Sequence, residues 1–146
     1  MTLMGRTLRL YTDGAIGDGR GGSGLGAVLR DANGRVLCTA SVSAGRMTCN
    51  EAEYAALVFG LRHALRARPA RLQIYLDSQV VIAQLTGRAD VRSPRLKHWY
   101  EQAHELLRAA GAVSFEYIPR EENRLADALA VEALQAGRRR ARPGPR

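Results

Sequence analysis

The sequence is poor in several features that would place it in a specialised class of protein. It has only two cysteines, Cys38 and Cys49, which form neither a disulfide framework nor a zinc-binding pattern. No apolar run approaches the roughly 18 residues that a membrane-spanning helix requires. The first eleven residues lack a long apolar core and a small-residue cleavage site, so we expect no signal peptide. These absences favour a cytoplasmic protein with reduced thiols and no membrane association.

Lysine is almost absent, because Lys97 is the only one, yet the chain is strongly basic. Lysine and arginine together number 22 against 14 aspartates and glutamates, which gives a net charge of +8. A basic domain indicates a polyanionic partner, with nucleic acid first, although an arginine-rich composition without functional meaning gives the same balance. The length of 146 residues predicts one domain.

Hydrophobic periodicity and turn signals divide the chain into elements in the order β-β-β-α-β-α-α-β-α. We predict strands over residues 7–13, 25–31, 35–44, 71–77 and 112–119. We predict helices over residues 48–68, 78–87, 93–110 and 124–136. Asn33-Gly34 is a hairpin signal, and Thr48 with Glu51 predicts a capping box at a helix start. After a folded domain of residues 1–137, we expect residues 138–146 to form a basic, disordered tail.

This order of elements predicts an α/β fold with a mixed five-stranded sheet. Three strands form an antiparallel meander, two more are parallel, and helices cover both faces. Right-handed crossovers place the strand of residues 71–77 beside that of residues 7–13. Sites in such sheets form at the carboxyl ends of the parallel strands.

The glycine run at residues 17–22 matches the pattern G-x-G-x-x-G but lacks the context of a dinucleotide-binding loop. Such a loop opens a helix whose N-terminus holds a pyrophosphate, whereas here the glycines lead into a second strand. No acidic residue ends a strand about 20 residues later. We therefore interpret the run as a mobile turn between antiparallel strands.

Two acidic residues, Asp13 and Asp77, each end a predicted strand. If those strands are parallel neighbours, both carboxylates emerge at one sheet edge and repel unless one is protonated or a cation lies between them. Hard divalent cations prefer such oxygen ligands. A strand-terminal aspartate can also simply start a turn, and Asp13-Gly14 fits that interpretation too.

Two further acids lie on predicted helices. Glu51 has a local role in the capping box, whereas Glu53 precedes Leu57 by four residues and extends an apolar stripe. An acid at the end of a buried stripe needs a partner, and Asp127 within LADALAVEAL raises the same question. Solvent exposure on a helix edge is the alternative for both.

Taken together, the blocks YTDGA, TCNEAEYAAL, LDSQVV and ENRLADALA resemble the four signature blocks of type 1 ribonuclease H. The resemblance is to the short variant of archaeal, plant and some bacterial members, and it covers about residues 7–136. It implies that residues 1–137 are a ribonuclease H-like catalytic domain. It also implies that two Mg²⁺ or Mn²⁺ ions are held by four catalytic carboxylates, Asp13, Glu53, Asp77 and Asp127. Asp13 would bridge both ions, Glu53 and Asp77 would complete one site, and Asp127 would help hold the other.

The activity that the resemblance implies is two-metal hydrolysis of the RNA strand of RNA–DNA hybrids, which leaves 5′-phosphate and 3′-hydroxyl ends. Arg120 occupies the place of a loop residue that assists product release in other members. We expect a monomer with no obligate protein partner and little sequence preference. The residues implied to contact the hybrid are Gly14, Asn50, Gln79 and Asn123.

Three departures from the family pattern affect substrate binding. Cys49 stands where many members have asparagine, the loop YIPREEN has no histidine, and only TGRADVRSPR occupies the place of a basic protrusion. Hybrid affinity would then depend on scattered arginines and on those at positions 138, 139, 140 and 142. Two other functions remain open, namely a same-fold nuclease for another nucleic acid, such as double-stranded RNA, and an inactive nucleic-acid-binding module. The presence of all four acids disfavours the inactive module.

Overall fold

The computed structural model describes residues 5–18 and 21–141. Its strands are β1 (Thr7–Ile16), β2 (Ser23–Asp31), β3 (Val36–Ala44), β4 (Arg71–Leu76) and β5 (Ala112–Tyr117). Its helices are α1 (Cys49–Arg66), α2 (Gln79–Leu85), α3 (Pro94–Ala109) and α4 (Arg124–Ala141). One 3₁₀ turn, Arg120–Glu122, precedes α4. The predicted order of elements is confirmed.

The five strands form one mixed sheet in the order β3-β2-β1-β4-β5. Strands β1, β2 and β3 are antiparallel neighbours, while β4 runs parallel to both β1 and β5. The predicted meander and the predicted pairing of the first and fourth strands are therefore confirmed. In the parallel pair, Tyr11 lies opposite Tyr75, and the same offset carries Asp13 alongside Asp77.

Helix α1 packs on one face of the sheet and forms the main core. Leu10 of β1 and Ile74 of β4 are buried together with Leu57 and Leu61 of α1. Burial of each such side chain stabilises the fold by about 2 kcal/mol. The predicted capping box is present, since the Thr48 hydroxyl accepts from the Glu51 amide while the Glu51 carboxylate accepts from the Thr48 amide.

Helix α4 covers the opposite face, so the prediction of helices on both faces is confirmed. Its close approach requires glycine in β2, because a Cβ atom at Gly24 would overlap the Ala130 carbonyl oxygen and one at Gly26 would overlap that of Ala126. The glycine-rich stretch thus has two parts. Residues 17–22 join β1 to β2 as predicted, while Gly24 belongs to the strand beneath α4.

The predicted end of the last helix at Gly137 is wrong, because α4 continues to Ala141. A glycine within a helix costs about 1 kcal/mol, but here it permits close packing on β3. A Cβ atom at Gly137 would lie 2.7 Å from the Cβ atom of Ser43. The expected disordered tail is therefore helical over residues 138–141, and residues 142–146 lie outside the described residues. No helix in the described part of the chain is both long and apolar enough to cross a bilayer.

Candidate active site at the carboxyl edge of the sheet

Three carboxylates converge just beyond the point where the parallel pairing of β1 with β4 ends. The predicted end of the first strand at Asp13 is wrong, because β1 continues to Ile16 in its pairing with β2. Asp13 lies in β1, Asp77 directly follows β4, and Glu53 lies near the N-terminus of α1. One oxygen atom from each side chain lies within 4.8 Å of those from the other two. The prediction that the two strand-terminal aspartates meet at one edge is confirmed, and Glu53 joins them.

Gly14 brings Asp13 and Glu53 together. A Cβ atom at this position would overlap the backbone carbonyl of Ala52, so only glycine lets β1 approach the start of α1 this closely. The Gly14 amide then donates a hydrogen bond of 3.1 Å to Oε1 of Glu53. The acid at the end of the apolar stripe thus has the partner that its position required.

Burial gives two of these acids unusual titration behaviour. Asp13 is only 5% exposed. This burial, followed by the negative charge of Glu53, raises the pKa of Asp13 from 3.8 to about 10. Burial also raises the pKa of Glu53 from 4.5 to about 7, although hydrogen bonds from Asp13 and Gly14 act in the opposite direction. The cluster therefore keeps protons near neutral pH in the absence of a cation.

Asp127 reaches the same cluster from α4. Its side chain lies close enough to that of Asp13 to contribute to the raised pKa of Asp13. The Asp127 amide is in turn hydrogen-bonded to the Asn123 carbonyl at 3.1 Å, which fixes the start of the helix. All four acids of the signature blocks therefore gather at one place, three of them tightly and Asp127 through Asp13.

Asn123 is placed differently from the expectation that it contacts substrate. It is only 2% exposed. Its side-chain nitrogen donates to the Thr12 carbonyl at 2.9 Å and to Oδ2 of Asp77 at 3.1 Å. Asn123 therefore lies behind the carboxylates and orients Asp77, and its burial does not support a direct contact with a bound duplex.

The other residues expected to contact the hybrid lie around the acids. Asn50 and Gln79 are exposed at the starts of α1 and α2. Gly14 is half-buried, and its amide is engaged with Glu53. Arg120 is exposed in the 3₁₀ turn, and its charge lowers the pKa of Glu53, which places it beside the cluster.

Glu51 is separated from this cluster by its structural contacts. One carboxylate oxygen serves the capping box, and the other lies 3.4 Å from Nε of Arg95 at the start of α3. The bridge to Arg95 was not predicted from the sequence. Ser93 caps α3 and Pro94 is its first residue, which are local features, but no local pattern indicates which neighbouring helix that start contacts.

The sheet order and the acid cluster define a protein of the ribonuclease H-like class. The family model described as Reverse transcriptase-like matches residues 11–133. The chain belongs to this family and is a member of its type 1 ribonuclease H branch, so the resemblance seen in the sequence is confirmed.

Two relatives match in both sequence and structure. The bifunctional protein Rv2228c of Mycobacterium tuberculosis is 35% identical over 87% of this chain. The structure of its N-terminal RNase H domain superposes with a TM-score of 0.88 at 33% identity, over 94% of this chain and 99% of that domain. Ribonuclease HI of Halobacterium salinarum is 37% identical over 89% of this chain. The crystal structure of RNase H1 from that archaeon gives a TM-score of 0.85 at 36% identity, over 89% of this chain and 98% of the other.

A third structure adds a bound nucleic acid. LC11-RNase H1 in complex with an RNA/DNA hybrid gives a TM-score of 0.82 at 29% identity, over 88% of this chain and 97% of the other. The present chain spans 35% of the length of Rv2228c and 65% of that of the Halobacterium ribonuclease HI.

The chemistry of the donor set favours a hard divalent cation. Asp13, Glu53 and Asp77 offer only carboxylate oxygens, the ligands that Mg²⁺ and Mn²⁺ prefer. A bound cation would replace the protons that these acids otherwise retain and would offset their mutual repulsion. The residues present therefore fit a metal site.

Proposed function

We propose that this chain is an endoribonuclease that hydrolyses the RNA strand of RNA–DNA hybrids and leaves 5′-phosphate and 3′-hydroxyl ends. The observation that carries the proposal is the cluster of Asp13, Glu53 and Asp77, whose oxygens lie within 4.8 Å of one another. The cluster lies at the edge where the parallel pairing of β1 with β4 ends. Family membership supports it, since a relative of the same fold has been solved with an RNA/DNA hybrid.

The four acids would hold two Mg²⁺ or Mn²⁺ ions. Asp13 would be shared between the two sites, Glu53 and Asp77 would complete one, and Asp127 would serve the other. A pair of bound divalent cations activates a water molecule and stabilises the attacking and leaving oxygens of an in-line displacement.

The protein's own contribution is to hold these acids in place before substrate arrives. The Gly14 amide fixes one oxygen of Glu53, and the Asn123 amide fixes one oxygen of Asp77. Because a carboxylate that is already oriented loses little freedom on binding, such contacts raise metal affinity and keep the reacting groups aligned.

Recognition of RNA would depend on the sugar rather than on the bases. The 2′-hydroxyl both donates and accepts hydrogen bonds in the minor groove of a duplex. Asn50 and Gln79 are exposed beside the acids and offer side-chain amides that can do the same. Gly14 is expected to contribute by holding Glu53 in place, because its amide donates to that carboxylate. Arginine contacts to phosphate carry no sequence information, so we expect little sequence preference.

The proposed enzyme acts as a cytoplasmic monomer without an obligate protein partner. All four acids come from one chain, so the site is complete without a second copy. Cys38 and Cys49 are exposed free thiols, which suit a reducing compartment. Light scattering after size-exclusion chromatography tests the oligomeric state, and a dimer would contradict this part of the proposal.

The decisive experiment is cleavage of one end-labelled RNA presented as a hybrid with DNA, as an RNA duplex and as a single strand. Each form is incubated with Mg²⁺, Mn²⁺ or EDTA. We expect cation-dependent cutting of the hybrid alone. Cutting of the RNA duplex instead would keep the chemistry and change the substrate, while tight hybrid binding without any cutting would favour an inactive binding module.

Two matched variants accompany that experiment. Asp77→Asn removes one carboxylate of the cluster with little change in shape, and its activity should fall to background. Asp90→Asn makes the same chemical change at an exposed position between α2 and α3, and it should leave the rate unchanged. Full activity of Asp77→Asn would show that the acids are wrongly assigned.

A further inference from the structure

Arginine side chains surround the turn between β1 and β2. Arg46 lines a shallow hollow at this turn together with Gly17, Asp18, Gly21, Gly22 and Met47. Arg138 in the last turn of α4 pairs with Asp18 of the same turn, and Arg139 and Arg140 follow it in the helix. We call this set the terminal arginine cluster, which comprises Arg46, Arg138, Arg139 and Arg140.

The helical extension of α4 beyond Gly137 holds the cluster in position. Nη2 of Arg138 lies 2.9 Å from Oδ1 of Asp18 in the turn. Nη2 of Arg140 donates a hydrogen bond to the Ser43 hydroxyl near the end of β3. These contacts fix the helix end against the sheet, while the Arg138 side chain stays 44% exposed and Arg139 is exposed.

The cluster lies at the same end of the sheet as the acids but at a distance from them. Asp127 and Arg138 are eleven residues apart on α4, which corresponds to about 16 Å along the helix axis. Asp13 and Gly17 are four residues apart along β1 and the turn, which corresponds to about 13 Å. The two independent paths agree, so the cluster is too far away to contact the scissile phosphate itself.

The charge of the cluster matches a polyanion. Arg138 pairs with Asp18, and Arg139 and Arg140 follow it in the last turn of α4, so this surface is rich in positive charge. Phosphates on one strand of a duplex repeat about every 3.4 Å along its axis, so a separation of about 16 Å corresponds to roughly five nucleotides. A duplex with one phosphate at the acids would bring others of its backbone to the arginines.

We propose that the terminal arginine cluster binds the sugar-phosphate backbone of the substrate duplex roughly five nucleotides from the cleavage position. This inference rests on the proposed function. The end of α4 would then bind the duplex that flanks the cleavage position. The α2–α3 connection, which holds the place of the basic protrusion, contains only residues 86–93. Contacts of the cluster with phosphates do not depend on the base sequence, and the affinity that they contribute falls steeply as the salt concentration rises.

The test compares Arg138→Gln/Arg139→Gln/Arg140→Gln with the parent chain, both in the Asp77→Asn background that prevents cutting. Fluorescence anisotropy measures binding of a labelled RNA–DNA hybrid of about 20 base pairs over a salt series. We expect the triple variant to bind about tenfold more weakly at low salt, with a slope of log K against log salt reduced by about 2. The triple replacement with lysine keeps the charge and should retain most of the affinity.

A matched control removes three arginines at the opposite end of the molecule. These residues are exposed at the end of α1, the start of β4 and the end of α3, far from the acids. The control variant is Arg66→Gln/Arg71→Gln/Arg108→Gln. It should weaken binding by less than about twofold, since screening limits charge effects to about 10 Å. Equal losses in the two triple variants would overturn the proposal, because net charge alone would then explain both.

Flank length provides a second criterion. A hybrid with about three base pairs on either side of the cleavage position is too short to reach the terminal arginine cluster. A hybrid with about eight base pairs on either side is long enough to reach it. The loss in the triple variant should appear only with the longer hybrid, and a loss independent of length would overturn the proposal. Cleavage of the same hybrid by the unsubstituted chain is measured in parallel. Its failure would count against the proposed function alone, since the anisotropy data do not require cutting.

Discussion

The side-chain nitrogen of Asn123 donates a hydrogen bond of 3.1 Å to Oδ2 of Asp77. The same nitrogen donates to the Thr12 carbonyl at 2.9 Å, so both of its hydrogens are engaged. One buried amide thus connects the residue before α4 with β1 and with the acid that follows β4. Asp77 is oriented by a residue that does not itself reach the solvent.

Replacement of Asn123 by alanine should reduce both turnover and Mg²⁺ affinity. Asp77 loses the donor that holds one of its oxygens, and removal of such a partner typically costs about 10–100-fold in metal affinity or activity. Steady-state cleavage of the hybrid over a Mg²⁺ titration measures both quantities. High Mg²⁺ should restore part of the rate, which a general loss of folded protein would not show.

Two variants control for the site of this change. Glu122→Ala alters the exposed neighbouring residue and should leave the Mg²⁺ titration unchanged. Asn123→Asp keeps the shape but faces Asp77 with a second negative charge, so its defect should be at least as large as that of Asn123→Ala. A folded Asn123→Ala protein with an unaltered Mg²⁺ titration would contradict the positioning role.

The two glutamates of the second block, Glu51 and Glu53, should respond oppositely to the same substitution. Glu53→Gln removes a carboxylate from the acid cluster, and hybrid cleavage should fall to background. Glu51→Gln leaves an amide oxygen that can still accept from the Thr48 amide, so the capping box survives. Its activity should stay near that of the parent chain.

Thermal unfolding measures the cost of Glu51→Gln. The change neutralises a contact with the largely exposed Arg95, so we expect a loss of stability of less than about 1 kcal/mol. If Glu51→Gln were inactive while Glu53→Gln cut the hybrid, the assignment of the two glutamates would be reversed.

Local sequence patterns predicted the elements that position the site. Alternation in β1, the short apolar run of β4, the Asn33-Gly34 turn and the Thr48 capping box are local signals, and each corresponds to an element of the structure. The separation of Glu51 from Glu53 followed from helical spacing. The convergence of Asp13 and Asp77 followed from the rule that the carboxyl ends of parallel strands share an edge.

The incorrect expectations concern contacts between elements that are distant in sequence. Gly137 has the local signature of a helix end, but packing against Ser43 favours continuation of the helix. Asn123 was expected among the residues that contact the hybrid, but it is buried beside α4 and its side chain binds Asp77. Local propensity carries no information on which surface covers a residue, so neither outcome was accessible from the sequence.

The stability of the metal-free protein should fall as the pH rises. The folded state holds protons on Asp13 and Glu53, whose pKa values are raised to about 10 and about 7, while the unfolded chain releases them near its ordinary pKa values. Since the folded state binds more protons, its stability is greatest below about pH 4 as far as these two groups are concerned. The contribution of Glu53 to stability is lost as the pH rises through about 7, and that of Asp13 is lost as the pH rises through about 10.

Added Mg²⁺ should reverse this loss. A bound cation replaces the protons on Asp13 and Glu53. The rise in melting temperature on adding Mg²⁺ should therefore be small at about pH 5 and larger at about pH 8. Scanning fluorimetry in EDTA and in Mg²⁺ measures both series. Asp13→Asn should melt at a higher temperature than the parent chain in EDTA and respond weakly to Mg²⁺. A response to Mg²⁺ that is equal at both pH values would contradict the raised pKa values.

Arg120 should influence the rate through its charge. It is exposed in the turn before α4, and it lowers the pKa of Glu53. Arg120→Ala removes that effect, so more of the enzyme would have a protonated Glu53 below neutral pH. An exposed charge interaction is worth about 0.3–1 kcal/mol. We therefore expect the cleavage rate of Arg120→Ala to fall by about two- to fivefold on the acid side of the pH profile. Arg120→Lys should retain the parent profile.

Single-turnover kinetics distinguish this electrostatic effect from assistance in product release. A change in Glu53 protonation slows the chemical step, so single-turnover and steady-state rates of Arg120→Ala should fall together at low pH and recover as the pH rises. A residue needed only for release would leave the single-turnover rate unchanged at every pH. Arg108→Ala, at the far end of α3, controls for the loss of one positive charge and should match the parent chain in both assays.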